Sequence, residues 1–342
     1  MDPVPAFRNG PSDRMEVMFG ANPPYFQHMA VTAVSLLKNT PDIDIRIHLL
    51  TCERDPEAEA LLRRTFERYP RLTLEIVELD GRVLADYFVD GFLTKECYLR
   101  ILAPEILAPD IRRIVYLDCD LVVLDDLRPL WHLDLKGKSV AAAMDYPPVS
   151  QLVEPGRLAR LGMPAGAPYV NSGVLVIDLD RWRERGLTRR LFDFVEEKGA
   201  ALLTADQDAI NVVLNTDGDL TILDCRWNLQ TRMYRVGRRS APEAYEATRA
   251  ARRRPAVLHY TGSEKPWLFM SGAVLRRHYF RYLAETAWNE RTRPEERWLQ
   301  RLERRIDTAL LDYAGVDYLH LAGKAGRIPR KIAAGLRVSQ AA

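Results

Sequence analysis

Three apolar segments at the strand period, separated by helical patterns, restrict this chain to very few folds. Met15 to Ala21 reads as a buried strand, and after the turn Asn22-Pro23-Pro24 a helix is expected from about Tyr25 to Lys38. Ile43, Ile45, Ile47 and Leu49 alternate with polar residues, Pro56 to Tyr69 is helical in pattern, and Leu72, Leu74 and Ile76 alternate again. The order βαβαβ predicts an α/β fold with a mostly parallel sheet covered on both faces. Such sheets take nucleotides where a strand ends in a turn that feeds a helix. The turn after Ala21 is such a place, but no G-x-G-x-x-G is present, which excludes the Rossmann fingerprint.

Lys95 to Leu107 is expected as a helix leading into the stretch Arg112 to Leu124, RRIVYLDCDLVVL. Its apolar run Ile114 to Leu117 is of strand length and stops on Asp118 and Asp120. In an extended backbone residues i and i+2 share a face, so both carboxylates point one way and Cys119 points back. Two such carboxylates form half a cage for a hard divalent ion. Alone, the pair also reads as polar punctuation after a strand.

Val140 to Met144 is a short buried strand ending at Asp145. Tyr169 to Leu179 is another, with Asn171, Ser172 and Gly173 inside it, and a glycine within a strand often marks a close approach to the backbone. Trp182 to Lys198 reads as one or two helices, and Ala205 to Leu214 as a further helix with Thr204 as its cap. Leu220 to Leu223 and Ala256 to His259 read as later strands. From Arg276 onward the pattern is helical and arginine-rich, with Trp288 and Trp298 at apolar positions. One boundary, near Gly272, divides the chain into a lead-in (1–14), a catalytic domain (15–275) and a basic helical extension (276–342).

At 342 residues, 47% hydrophobic and 28% charged, the composition is that of a soluble globular protein. The net charge of +2 hides an asymmetry, because 14 Lys and Arg face 8 Asp and Glu from Arg276 to the end. Lys324, Arg327, Arg330, Lys331 and Arg337 have no acid among them from Tyr318 on, which favours an anionic contact at that end. Cys52, Cys97, Cys119 and Cys225 form no C-x-x-C pair and lie in or beside apolar segments, so they read as buried thiols in a reducing compartment. No signal-peptide core or spanning apolar run is present, and a cytoplasmic location is expected.

Four motifs in order, YLDCDLVVLDDL, YVNSGVLVIDL, ADQDAIN and HYTGSEKPW, strongly resemble family 8 glycosyltransferases over roughly Met15 to Gly272. That family includes bacterial lipopolysaccharide galactosyl- and glucosyltransferases and glycogenin. The resemblance implies a GT-A fold, a UDP-hexose donor, Mn²⁺ (with Mg²⁺ as the alternative) and transfer with retention of configuration. A divalent ion between carboxylates and diphosphate oxygens would act as a Lewis acid. Adding the imidazole of His259 to Asp118 and Asp120 favours Mn²⁺ over Mg²⁺.

By resemblance, Gly262 brings its N–H to a phosphate and Lys265 supplies charge for the departing diphosphate; their bland readings are a turn and a solvated cation. Asp206 would bind the donor sugar's hydroxyls and Gln207 would lie under its anomeric carbon, or the pair is only an acidic helix start. Asp145, Asn171 and Arg100 match positions that contact the sugar or place the acceptor; a turn residue, a satisfied amide and a surface cation are the structural alternatives. The catalytic candidates are Gln207, Asp206 and Asp145, and Cys119 joins the donor-contacting set. Gly20, Ala21, Asn22 and Tyr25 correspond to the turn that contacts uridine. Here FGANPPY departs from the family, since prolines donate no backbone hydrogen bond, and uracil preference is the property that this affects.

The implied partners are the nucleotide sugar and a glycan or lipid-linked acceptor, with no nucleic acid. The basic tail is either a packed helical extension or a contact with an anionic membrane face. Two other classes are alternatives, a nucleotidyltransferase and a nucleotide-sugar-binding protein without transferase activity. The first lacks its Gly-rich, lysine-bearing loop, and the second is expected to have lost a ligand or Lys265.

Overall fold

The computed structural model describes residues 14–84, 87, 94–146, 156–238, 241–268 and 271–289. Residues 1–13 of the lead-in and the part of the basic extension beyond 289, with Trp298 and Lys324 to Arg337, lie outside the described residues. The strands are β1 (Arg14–Gly20), β2 (Asp44–Thr51), β3 (Leu72–Glu78), β4 (Arg113–Leu117), β5 (Leu121–Val123), β6 (Val140–Met144), β7 (Val170–Asp178), β8 (Leu220–Leu223), β9 (Leu229–Gln230) and β10 (Val257–His259). The helices are α1 (Phe26–Asn39), α2 (Pro56–Phe66), α3 (Leu99–Ile106), α4 (Arg128–Trp131), α5 (Arg157–Arg160), α6 (Leu179–Glu184), α7 (Leu187–Lys198), α8 (Asp206–Thr216), α9 (Pro242–Arg253) and α10 (Arg277–Leu283).

Seven strands form one sheet in the order β3-β2-β1-β4-β7-β6-β8. The expected parallel sheet is present with one exception. β7 runs antiparallel to both β4 and β6, while β3, β2, β1 and β4 pair in parallel and β6 pairs β8 in parallel. Strand alternation divides the sheet between two cores. Val17, Phe19, Val115, Leu117, Val174 and Val176 face α1 and α10, whereas Met18, Ile114, Tyr116, Leu175 and Ile177 face α3, α6, α7 and α8. Burial on both faces explains why the central strands read as near-continuous apolar runs.

The chain leaves β1 toward β2 and β3, then returns to place β4 on β1's other side. That reversal opens a crevice beyond the carboxyl ends of β1 and β4. A second, three-stranded sheet in the order β5-β10-β9 closes over it. β5, β9 and α9 are not among the elements that the sequence pattern predicts; the first two are only three and two residues long.

Local chemistry accounts for most element ends. Asp55 caps α2 by accepting from the N–H groups of Glu57 and Ala58, with Pro56 following at the first helical position. Trp182 to Lys198 is two helices, broken at Gly186, whose φ of 57° is left-handed. At α8 the expectation is corrected, because Thr204 makes no cap. Its hydroxyl bonds Tyr169, and Asp208 reaches back to accept from the N–H groups of Leu203 and Thr204 at 2.9 and 3.0 Å. Those bonds hold Ala205 at a φ of 45°, a conformation that costs on the order of 1–3 kcal/mol.

α10 packs on α1 through Tyr279 and Tyr282, and the Tyr282 hydroxyl accepts from Asn39 at 2.7 Å. None of the described helices is long and apolar enough to cross a membrane. Asp208 is fully buried and also holds Arg157 and the Tyr169 hydroxyl. Its removal would strand a buried cation and two backbone donors, so Asp208→Ala should lower stability by about 3–5 kcal/mol. Urea unfolding of the two proteins checks this, and a loss below about 1 kcal/mol would contradict it.

Candidate active site

β4 ends at Leu117, and the pairing with β7 continues one step further, because the Asp118 N–H donates to the Gly173 carbonyl at 2.8 Å. Asp120 follows in the turn to β5. β10 lies antiparallel to β5 with His259 opposite Leu121, and the Tyr260 N–H donates to the Asp120 carbonyl. The register therefore brings the imidazole beside both acids. His259 Nε2 lies 3.6 Å from Asp118 Oδ2 and 3.1 Å from Asp120 Oδ1. Ligand-capable atoms of the three residues all fall within 4.8 Å of one another.

Each carboxylate gives one oxygen to a protein donor and turns the other to the imidazole. Asp118 Oδ1 accepts from the Tyr116 hydroxyl at 2.6 Å and Arg100 Nη2 at 3.0 Å. Asp120 Oδ2 accepts from Lys265, whose ammonium also donates to the Tyr260 carbonyl at 2.8 Å. Burial by itself would raise the Asp120 carboxyl, but Lys265 and His259 beside it hold it well below the usual carboxylate range. Two carboxylate oxygens and one imidazole nitrogen facing one another form a donor set that suits a divalent ion of the Mn²⁺ kind.

Gly173 explains how the ring fits. A Cβ there would lie 2.3 Å from His259 Cε1 and 2.7 Å from Asp118 Oδ2. The close approach signalled by the in-strand glycine is thus made by the site's own side chains.

Arg100 joins this cluster to the next. It is buried rather than on the helix surface, and it stands over the Tyr116 ring at 4.1 Å. Its Nε lies 3.1 Å from Asp206 Oδ2 and its Nη1 donates to the Ser172 carbonyl at 2.6 Å. Burial pushes the Asp206 carboxyl up to about 6 against the opposing pull of Arg100. Gln207 accepts through its carbonyl oxygen from Asn171 Nδ2 and the Ser172 N–H, both at 3.0 Å, and donates to Asp145 Oδ2 at 3.2 Å. Asp145 is buried and ion-paired with Arg232.

The turn after β1 forms a rim beside the cluster. Gly20 packs where a Cβ would lie 2.9 Å from the Glu96 carbonyl, and its own carbonyl accepts from the Cys119 thiol at 3.8 Å. Cys119 thus points away from the acids, as expected. Ala21 continues β1's pairing through its N–H to Leu50, and Asn22 has a buried side-chain oxygen without a hydrogen-bond partner. Tyr25 packs edge-on against His28 and Trp267, at centroid distances of 5.4 and 6.1 Å. Gly262 adopts a φ of 76° in open space and borders a cavity of about 220 Å³ with Arg232, Arg235, Thr261 and Glu264.

Several contributors carried no sequence signal. Arg232 and Asn228 belong to no motif; Asn228 accepts from His259 Nδ1 at 2.8 Å. His28 stacks on Trp267 at 3.5 Å and bonds the Tyr279 hydroxyl at 2.7 Å, with burial lowering the imidazole to about 3. Gln27 donates to the same hydroxyl at 3.0 Å.

The Asp206 shift has a sign that can be checked. A carboxyl whose folded pKa is raised contributes stability that is present below the unfolded value near 3.8 and lost as pH rises through about 6. In chelator, Asp206→Asn should therefore match the unsubstituted protein near pH 3.5 and exceed it by about 3 kcal/mol at pH 7. Urea unfolding at both pH values tests this, and a variant less stable at pH 7 would refute it.

Residues 16–271 match the profile described as Glycosyl transferase family 8. General stress protein A of Bacillus subtilis (strain 168) is 29% identical over 280 residues, covering 80% of this chain and 95% of that protein. Lipopolysaccharide 1,2-glucosyltransferase of Escherichia coli (strain K12) is 24% identical, covering 90% and 91%. Among solved structures, galactosyltransferase LgtC in complex with donor and acceptor sugar analogs is 25% identical with a TM-score of 0.69, covering 82% of this chain and 98% of that one. The α/β sheet, the crevice beyond β1 and β4 and the four motifs agree with these matches, and the chain belongs to glycosyl transferase family 8 and is a glycosyltransferase.

Proposed function

We propose that the enzyme transfers a hexose, glucose or galactose, from a UDP-sugar to a hydroxyl of a saccharide or lipid-linked glycan, with retention of configuration and dependence on Mn²⁺, or Mg²⁺ in its place. The observation that supports this most is one connected assembly. It runs from Asp118, Asp120 and His259 through Arg100 to Asp206, with Gln207 and Asp145 beside it.

A divalent ion held by Asp118, Asp120 and His259 would neutralise the diphosphate leaving group. Lys265 and the Gly262 N–H would bind the same diphosphate from the chain's side, the lysine as a point charge and the glycine through its open turn. Arg100 holds Asp118 and Asp206 at fixed positions, so that a sugar hydrogen-bonded to Asp206 is oriented relative to the diphosphate. Gln207 would face the anomeric carbon, its amide locked by Asn171, Ser172 and Asp145. Asn171 and Asp145 then act on the sugar and acceptor side of that position. Gly20, Ala21, Asn22 and Tyr25 would form the base and ribose wall, where the free oxygen of Asn22 offers one acceptor.

Calorimetric titration with UDP should show binding that depends on Mn²⁺ and that Asp120→Asn abolishes. Gln207→Ala should lower turnover of the donor, measured as hydrolysis across nucleotide sugars, while UDP affinity stays within about threefold. Metal-independent UDP binding, or a fully active Gln207→Ala, would overturn these assignments. For location, the reading is cytoplasmic, with the basic tail on an anionic membrane face. Deleting Tyr318 to Ala342 should then weaken sedimentation with anionic liposomes and leave donor hydrolysis unchanged, and unaltered sedimentation would remove the membrane contact.

A further inference from the structure

We infer that Asn228 is a positioning residue that keeps a proton on Nδ1 of His259 and so leaves Nε2, the nitrogen facing Asp118 and Asp120, free to ligate, at the end of a chain of side-chain amides that begins at Asp145. The inference rests on the proposed metal site.

Side-chain amide oxygen and nitrogen are alike in shape, so their direction must come from partners whose roles are fixed. The Ser172 N–H can only donate, and it meets Gln207 Oε1 at 3.0 Å, which leaves Gln207 Nε2 to donate to the carboxylate of Asp145. The Gly173 N–H likewise meets Asn171 Oδ1 at 3.0 Å, and Asn171 Nδ2 donates to Gln207 at 3.0 Å. Asn171 Oδ1 is therefore an acceptor, and it receives Asn228 Nδ2 at 2.8 Å. What Asn228 turns to His259 Nδ1, at 2.8 Å, is its carbonyl oxygen.

A carbonyl oxygen cannot donate, so Nδ1 carries the proton. Nε2 is then the nitrogen left to turn a lone pair to a cation between Asp118 and Asp120, the form in which imidazole ligates a metal. Asn228 is fully buried and His259 nearly so, which leaves water little part in the exchange. Without Asn228 the ring has a cheaper arrangement, in which Nε2–H donates to the Asp120 carboxylate 3.1 Å away. In that state the nitrogen is closed to a metal ion. The amide chain thus opposes a local electrostatic preference, and it joins the ring's orientation to the amide of Gln207.

The test is nitrogen NMR of metal-free protein labelled at histidine, with the His259 signal identified by its loss in His259→Gln. Nδ1 should be protonated in the unsubstituted protein and in Asn228→Asp, whose carboxylate still accepts. In Asn228→Ala the proton should move to Nε2, and Mn²⁺ followed by spin resonance should bind about 10–100-fold more weakly, while Asn228→Asp stays within about threefold. A bare Nδ1 in the unsubstituted protein overturns the inference without any variant having to fold. So does Mn²⁺ binding in Asn228→Ala as tight as in the unsubstituted protein. If no protein binds Mn²⁺, the metal reading fails and the NMR result still decides the tautomer.

Discussion

Four aspartates, the buried Asp120, Asp145 and Asp206 and the partly exposed Asp118, crowd one crevice, and the structure around them is an answer to their charge. A carboxylate removed from water costs several kcal/mol unless it is paired. Arg100 stands between Asp118 and Asp206, Lys265 meets Asp120 and Arg232 meets Asp145. These cations come from α3, from the loop after β10 and from the turn after β9. Three distant segments are thus tied to the acids by charge, in a place where apolar packing alone would favour other residues. The half-exposed face of Asp118 and the inward oxygen of Asp120 remain available for a cation that the chain does not supply.

The sheet makes that crowding possible. Because β4 returns beside β1, the turn after β1 and the acids after β4 open onto the same crevice. The small sheet then adds His259, and its fit needs the absence of a side chain at Gly173. Trp267 and His28 stack across the boundary between the last motif and α1, and Tyr279 of α10 fastens both. The motif loop is consequently held by helices from opposite ends of the chain. Lys265, which belongs to it, reaches Asp120 from a fixed base.

Much of this was legible in one dimension. The alternation in β1, β2 and β3 and the apolar run of β4 gave the strands, because side chains in a strand repeat every two residues and burial on a face is periodic. The acid pair, Asp206 with Gln207, and the His259 to Trp267 stretch were legible because each is contiguous and chemically unusual. Asn228 and Arg232 were not, since neither belongs to a spaced pattern and their partners lie 31 and 87 positions away. Thr204 misled for a local reason. It has the composition of a cap, but Tyr169 takes its hydroxyl, and Asp208, four residues later, reaches back to its N–H instead.

The residues alone determined the class of fold, the places of most strands along the chain and the family, because periodicity and short motifs are properties of neighbours along the chain. Only the tertiary structure decided that Arg100 is buried between two acids and that Gly173 makes room for an imidazole. It also decided that a line of amides runs from Asp145 to His259. Those outcomes depend on which distant groups become neighbours once water is excluded, and hydrogen-bond direction and charge pairing exist only between groups that have met.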